Sequence, residues 1–222
     1  MIDNLERRRV PLLRWLCITL AVVIGVPVLF VLGLLVTYWV QSATPEDYPR
    51  VAPREMADRA ASRSQEAYEV AGFDTVLPAG RYNGFGSDSC YPGGLEAIAD
   101  TPVENAYALS HSWQLDDVPR EEALAALARL RDRLEADGWD ITSYERQQAS
   151  EDWILRTERG DGERQVYEWM SEGGRFSGGV YMECAYDPTA EASPGSSYDG
   201  YESYGGSSAA DGLVAPSLGA RA

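Results

Sequence analysis

The sequence predicts an α+β protein: a single N-terminal transmembrane helix, then a small extracytoplasmic domain with one main helix packed on an antiparallel sheet (strand, helix, four strands), then a disordered C-terminal tail. Three observations carry that expectation. A run of 26 uncharged residues extends from Trp15 to Val40. Residues 107–115 alternate apolar and polar just ahead of a leucine-striped segment at 119–137, and from 188 onward Gly, Ser, Ala and Pro replace any apolar pattern. The chain therefore divides into a cytoplasmic N-terminus (1–14), a span (15–40), a stalk with a juxtamembrane helix (41–73), the α+β domain (74–187) and the tail (188–222).

The apolar run comes first. As a helix it would be roughly 39 Å long, enough to cross the hydrocarbon layer with some tilt. Arg7, Arg8, Arg9 and Arg14 crowd its short side, against Arg50 and Arg54 beyond its other end. Four cations against two predict the N-terminus inside and the remainder outside. Trp15 at one end and Tyr38 with Trp39 at the other suit the two interfaces. A cleaved secretion signal would have a shorter apolar core and a small-residue cleavage site, which Tyr38-Trp39-Val40-Gln41 does not provide. A lipoprotein signal fails because Arg14, Trp15 and Leu16 precede Cys17. Ala21 and Gly25 make a small-xxx-small pair that would let two helices approach in a weak homodimer.

Residues 41–53 carry Pro45, Pro49 and Pro53 and read as a stalk. Arg54 to Ala71 favours helix, with Pro53 placed for its start. Its apolar periodicity is weak (Met56, Ala60, Tyr68), which leaves open whether it lies against the domain or above the membrane. Gly72–Gly94 reads as ordered loop with a short strand at Thr75–Leu77. In Tyr107–Leu115, the residues Tyr107, Leu109, His111, Trp113 and Leu115 share one face of a half-buried strand. Pro119–Asp137 is the clearest helix, with the stripe Leu124, Leu127, Leu130 and Leu134, cap candidates Asp116 and Asp117 before it, and Gly138 as the stop. Strands are expected at Trp139–Arg146, Trp153–Arg159, Glu163–Met170 and Phe176–Ala185, turning at Asp161-Gly162 and Gly173-Gly174. The leucine stripe should cover Trp113, Ile141, Val180 and Met182.

The charge is split at the span. Residues 41–222 hold 15 arginines against 33 acids, a balance of −18. So negative a domain repels polyanions, and nucleic acid is not expected as a partner. Every basic residue is Arg, and Lys is absent. That bias, an Arg-flanked anchor and the Gly/Ser tail resemble the many uncharacterised single-pass, signal-anchored cell-envelope proteins of actinobacteria. The resemblance is one of layout, and it implies an envelope location but no activity.

Cys17 falls in the span, leaving Cys90 and Cys184 as the only outer pair. In an oxidising compartment such a pair reads as a disulfide, the alternative being two free thiols. His111 is the single histidine; Ser110 and Ser112 fall on the opposite strand face, so neither is placed as its nucleophile. It is expected as a core or edge histidine with one hydrogen-bond partner. No metal site, cofactor or catalytic residue is expected, since calcium-loop spacing and a P-loop lysine are both missing. Arg159-Gly160-Asp161 reproduces an adhesion tripeptide but reads better as a hairpin turn. The candidate recognition loop holds Tyr82, Phe85 and Tyr91, tied by Cys90; the alternative is that these rings cap the open end of the sheet. Two functions are weighed: a membrane-anchored, non-catalytic module binding an unknown envelope partner, and an envelope hydrolase using two carboxylates.

Overall fold

The computed structural model describes residues 23–37, 47–91, 101–147, 150–160, 162–190 and 208–219. They fall into two units, taken separately. In the first, residues 23–37 form helix α1, and its apolar side chains are exposed, Leu29 by 70% and Phe30 by 67%. Among the described residues no helix is long and apolar enough to cross a membrane. The rest of the expected span, 15–22 and 38–40, lies outside the described residues, as do Ala21 and the four N-terminal arginines. Gly25 sits in α1 with open space around it.

The second unit is the α+β domain, and its sheet is antiparallel with helices packed on it. Its elements are α2 (Pro53–Ala71), β1 (Asn83–Ser89), β2 (Ala106–Leu115), α3 (Arg120–Ala136), β3 (Asp140–Arg146), β4 (Trp153–Glu158), β5 (Arg164–Met170), β6 (Arg175–Tyr181) and β7 (Ala185–Tyr186). The strands are ordered β1-β2-β6-β5-β4-β3, with β7 beside β2. β3 to β6 form the meander expected from their short turns, and β6 then pairs with β2. The expected last strand, Phe176–Ala185, is instead interrupted, ending at Tyr181 and resuming at Ala185.

Both helices cover the same sheet face. On α3 the buried residues are Ala123, Ala126, Leu127, Leu130 and Leu134, while Leu124 is only partly covered. They pack into one cluster with Trp113, Ile141, Leu155, Tyr167, Trp169 and Phe176. Trp113 is its centre, 5.0 Å from the Tyr68 ring and 5.8 Å from Phe176. Gly178, its register partner on β6, makes room for it: a Cβ there would lie 2.4 Å from the indole. Val180 and Met182 are not beneath the leucine stripe as expected. They belong to a second cluster with Met56, Ala57, Ala60, Tyr107 and Leu109, under α2.

Helix α2 is thus part of the core, lying against the domain, one of the two placements its weak periodicity leaves open. Pro53 begins it, and Gly72, at φ +74°, ends it by donating its N–H to the carbonyls of Tyr68 and Glu69. Its buried face is Met56, Ala57, Ala60, Ala61, Ser64, Ala67, Tyr68 and Ala71. Small side chains let the helix lie close to the sheet, so the stripe is defined by size more than by hydropathy. Arg129 of α3 donates to the carbonyls of Val70 and Ala71, where the helix C-terminus favours a cation.

Four further expectations are corrected. The stretch read as loop, 72–94, contains β1, an edge strand paired with β2 from Asn83↔Trp113 to Ser89↔Tyr107. The anticipated strand at Thr75–Leu77 is a single bridge, Leu77↔Leu218. Asp116 and Asp117 do not cap α3: Pro119 holds the cap position with no side-chain bond, and Asp116 contacts Gln114 and Arg175. Finally, the tail from 188 is not uniformly without structure. Residues 208–219 dock on the domain, with Leu218 fully buried, its backbone paired with Leu77 in both directions, and Pro216 accepting a bond from Asn83. Residues 191–207 and 220–222 lie outside the described residues.

Candidate functional site

Because strand residues alternate between faces, each strand that feeds the core also presents residues on the other side. On β2 those residues are Ala108, Ser110, Ser112 and Gln114; on β6 they are Ser177, Gly179 and Tyr181. Across β1, β2 and β6 this uncovered side is therefore carpeted with glycine and small polar residues. No described element packs over it.

There the sheet bears a shallow trough of about 230 Å³. It is lined by Ser112, Gln114, Val166, Ser177 and the Gly178-Gly179 backbone, with Arg81, Tyr82, Glu168 and Tyr181 beside them. Tyr82 is 44% exposed and Tyr181 37%. Tyr82 is held in a tight turn closed by two bonds between Gly80 and Asn83, and its carbonyl accepts from Gln114 N–H. Tyr181 lies down over Gly179, where a Cβ would come within 2.9 Å of its ring. Each ring has a guanidinium beside it, Arg81 at 5.6 Å from Tyr82 and Arg164 at 5.7 Å from Tyr181.

Of the three residues expected to form a recognition loop, Tyr82 and Phe85 face opposite sides of the sheet. Tyr82 is on the trough. Phe85 points to the helix-covered side, its ring 4.8 Å from His111. Tyr91 is the last described residue before 92–100 and belongs to the other unit. Tyr181, Ser177 and Glu168 went unnoticed in the sequence, although the alternation in Arg175–Tyr181 carries the signal for the first two.

Cys90 and Cys184 form a disulfide, with Cα atoms 6.0 Å apart and a sequence separation of 94. It fastens the end of the edge strand β1 to the segment between β6 and β7. Closing a loop of that length stabilises a fold by roughly 4–5 kcal/mol in the chain-entropy model.

His111 is fully buried against Phe85, and burial lowers its pKa from 6.5 to about 4. Neither ring nitrogen has a hydrogen-bond partner, where one had been expected. At neutral pH it is an uncharged core residue, with no nucleophile or acid bonded to it. Burial likewise raises the Tyr68 and Tyr107 hydroxyls to about 12. Among the described residues no group of three or more His, Cys, Asp or Glu could hold a metal ion.

A second cavity, about 240 Å³, opens between α2 and α3 beside Trp139. Arg63 and Arg159 flank that indole at 5.4 and 4.4 Å. Its arginines are already engaged: Arg63 with Glu163 at 2.9 Å, Arg133 with Glu66 and Asp137 at 2.7 Å each, and Arg159 with the Asp137 carbonyl. These pairs tie helices and turns together and leave no unpaired cation for a ligand. Arg159 also opens the β4–β5 turn, its N–H bonded to the Glu163 carbonyl; Asp161 of the adhesion-like tripeptide lies outside the described residues.

The fold and trough define an α+β domain with a two-helix layer on one side of an antiparallel sheet and a tyrosine-rimmed trough on the other. Comparison with family models, curated proteins and solved structures gives no match.

Proposed function

We propose that this chain is a membrane-anchored extracytoplasmic protein whose outer domain is a non-catalytic interaction module, with the Tyr82–Tyr181 trough as its recognition surface. The apolar run 15–40 supports the anchor, and the exposed apolar side chains of residues 23–37 are compatible with lipid around them. The arginine excess before the run favours a cytoplasmic N-terminus. The Cys90–Cys184 bridge suits an oxidising exterior. The small pair Ala21 and Gly25 would support a weak homodimer through the anchor, and lipid is the partner of residues 15–40.

The observation that carries the non-catalytic reading is the trough's chemistry. Two exposed phenol rings and small hydroxyls surround one carboxylate, Glu168. A hydrolase built on paired carboxylates needs a second acid across the same cleft. In the cavity beside Trp139 both lining acids, Glu66 and Asp137, are bound to Arg133. The test is capture of envelope material, protein or polysaccharide, by the full-length protein from detergent-solubilised membranes. Wild type should retain a reproducible component that the double variant Tyr82→Ala/Tyr181→Ala loses. Equal recovery by both, or none by either, contradicts the proposal.

A further inference from the structure

We propose that the trough binds a neutral, hydroxyl-rich glycan, with one sugar ring seated beside Ser112 and Ser177. This rests on reading the trough as the recognition surface and adds the class of ligand. Ser112, Ser177, the Gly178-Gly179 backbone and one aliphatic side chain, Val166, lie along the strands, so a saturated ring can approach the sheet with its C–H face on Val166 and its hydroxyls toward the serines. Tyr181 is kept flat by Gly179 and the backbone that carries Tyr82 is held by its turn, so less ordering remains to be done when a ligand arrives. Sugar rings combine apolar C–H faces with equatorial hydroxyls, and phenol rings beside free hydrogen-bonding groups match both.

Those groups are available. Among the described residues, the Ser112 and Ser177 hydroxyls and the Glu168 carboxylate have no hydrogen-bond or ion-pair partner. Gln114 uses its Nε2 on Asp116 at 3.0 Å, leaving its amide oxygen free to accept. Charge narrows the class further. Arg81 and Glu168 leave the lining near neutral, while residues 41–222 carry −18, so the trough suits an uncharged ligand and the surrounding field opposes polyanions. The volume of about 230 Å³ is below the usual range for drug-sized ligands, ~300–1,000 Å³. That volume matches a single sugar ring.

The experiment titrates full-length protein in detergent with cellohexaose and with chitohexaose, read by calorimetry and by tryptophan fluorescence, since Trp113 lies against Gly178. At least one should bind, with a dissociation constant between about 10 μM and 5 mM. Tyr181→Ala and Tyr82→Ala should each weaken it by about tenfold, whereas Tyr181→Phe should keep it. Arg133→Ala, at the other cavity, should leave it unchanged. No binding of either sugar by wild type, or binding indifferent to both alanine variants, overturns the proposal. If neither sugar binds yet the double tyrosine variant still loses its captured envelope component, the ligand class falls and the interaction surface stands.

Discussion

The two faces of one sheet have opposite compositions. Toward the helices, β2 and β6 contribute Tyr107, Leu109, Trp113, Phe176 and Val180, all buried; toward the outside they contribute Ser110, Ser112, Ser177 and Gly179. The residues interleave one by one along the same strands, so the difference is not regional. It shows how a small domain concentrates its stability on one side. Once the aromatic cluster around Trp113 fixes the strands, the other side is free to carry groups that contribute little to folding. Gly178 and Gly179 serve both sides in turn, the first by admitting the Trp113 indole and the second by letting Tyr181 lie flat.

This contrast can be broken most severely at Trp113. Truncation to alanine should cost about 3–5 kcal/mol in denaturant unfolding, because indole burial and its aromatic partners are lost together. Tyr181→Ala on the opposite face should change stability by less than about 0.5 kcal/mol. Similar losses at the two positions would show that the faces are not divided in this way. Next in size is the bridge. Cys90→Ser should destabilise the oxidised protein by about 4 kcal/mol, and reduction of the wild type should remove the same increment. A reductant that shifts wild type and variant alike would deny the Cys90–Cys184 bond its role.

A smaller effect sharpens the contrast from within the core. His111 is neutral in the fold, with a pKa near 4, against an ordinary value of 6.5. As pH falls below 6.5 the unfolded chain takes up a proton that the fold refuses until about pH 4, so stability falls through that window and levels off below it. The loss should be roughly 3 kcal/mol. Carboxylates titrate in part of the same range, so the quantity to measure is the difference from His111→Leu, whose unfolding curves should lack this component. An identical pH dependence in the two proteins would contradict a buried, uncharged imidazole.

Much of the covered face was legible in sequence. The Tyr107–Leu115 alternation and the Leu127, Leu130, Leu134 stripe gave β2 and α3, and the turns gave the β3–β6 meander. What escaped notice depends on partners distant in sequence. β1 reads Asn-Gly-Phe-Gly-Ser-Asp-Ser, poor in strand formers, and is a strand because β2 pairs with it and Cys184 holds its end. α2 hides its core stripe in alanines. The docked 208–219 segment is anchored by Leu213 and Leu218 within a Gly/Ala/Ser-rich stretch, so average composition conceals it. The trough joins Tyr82 to Tyr181 across about a hundred residues, and no local pattern foretells that meeting.

The proposed function requires the domain to face the exterior while the N-terminus stays inside. The direct measurement is external protease on intact cells making the full-length protein with an epitope tag after Ala222. The account predicts loss of the tag with a protected N-terminal fragment remaining in the membrane fraction. A tag untouched until the cells are lysed, or full-length protein free in the cytosolic fraction, would contradict it.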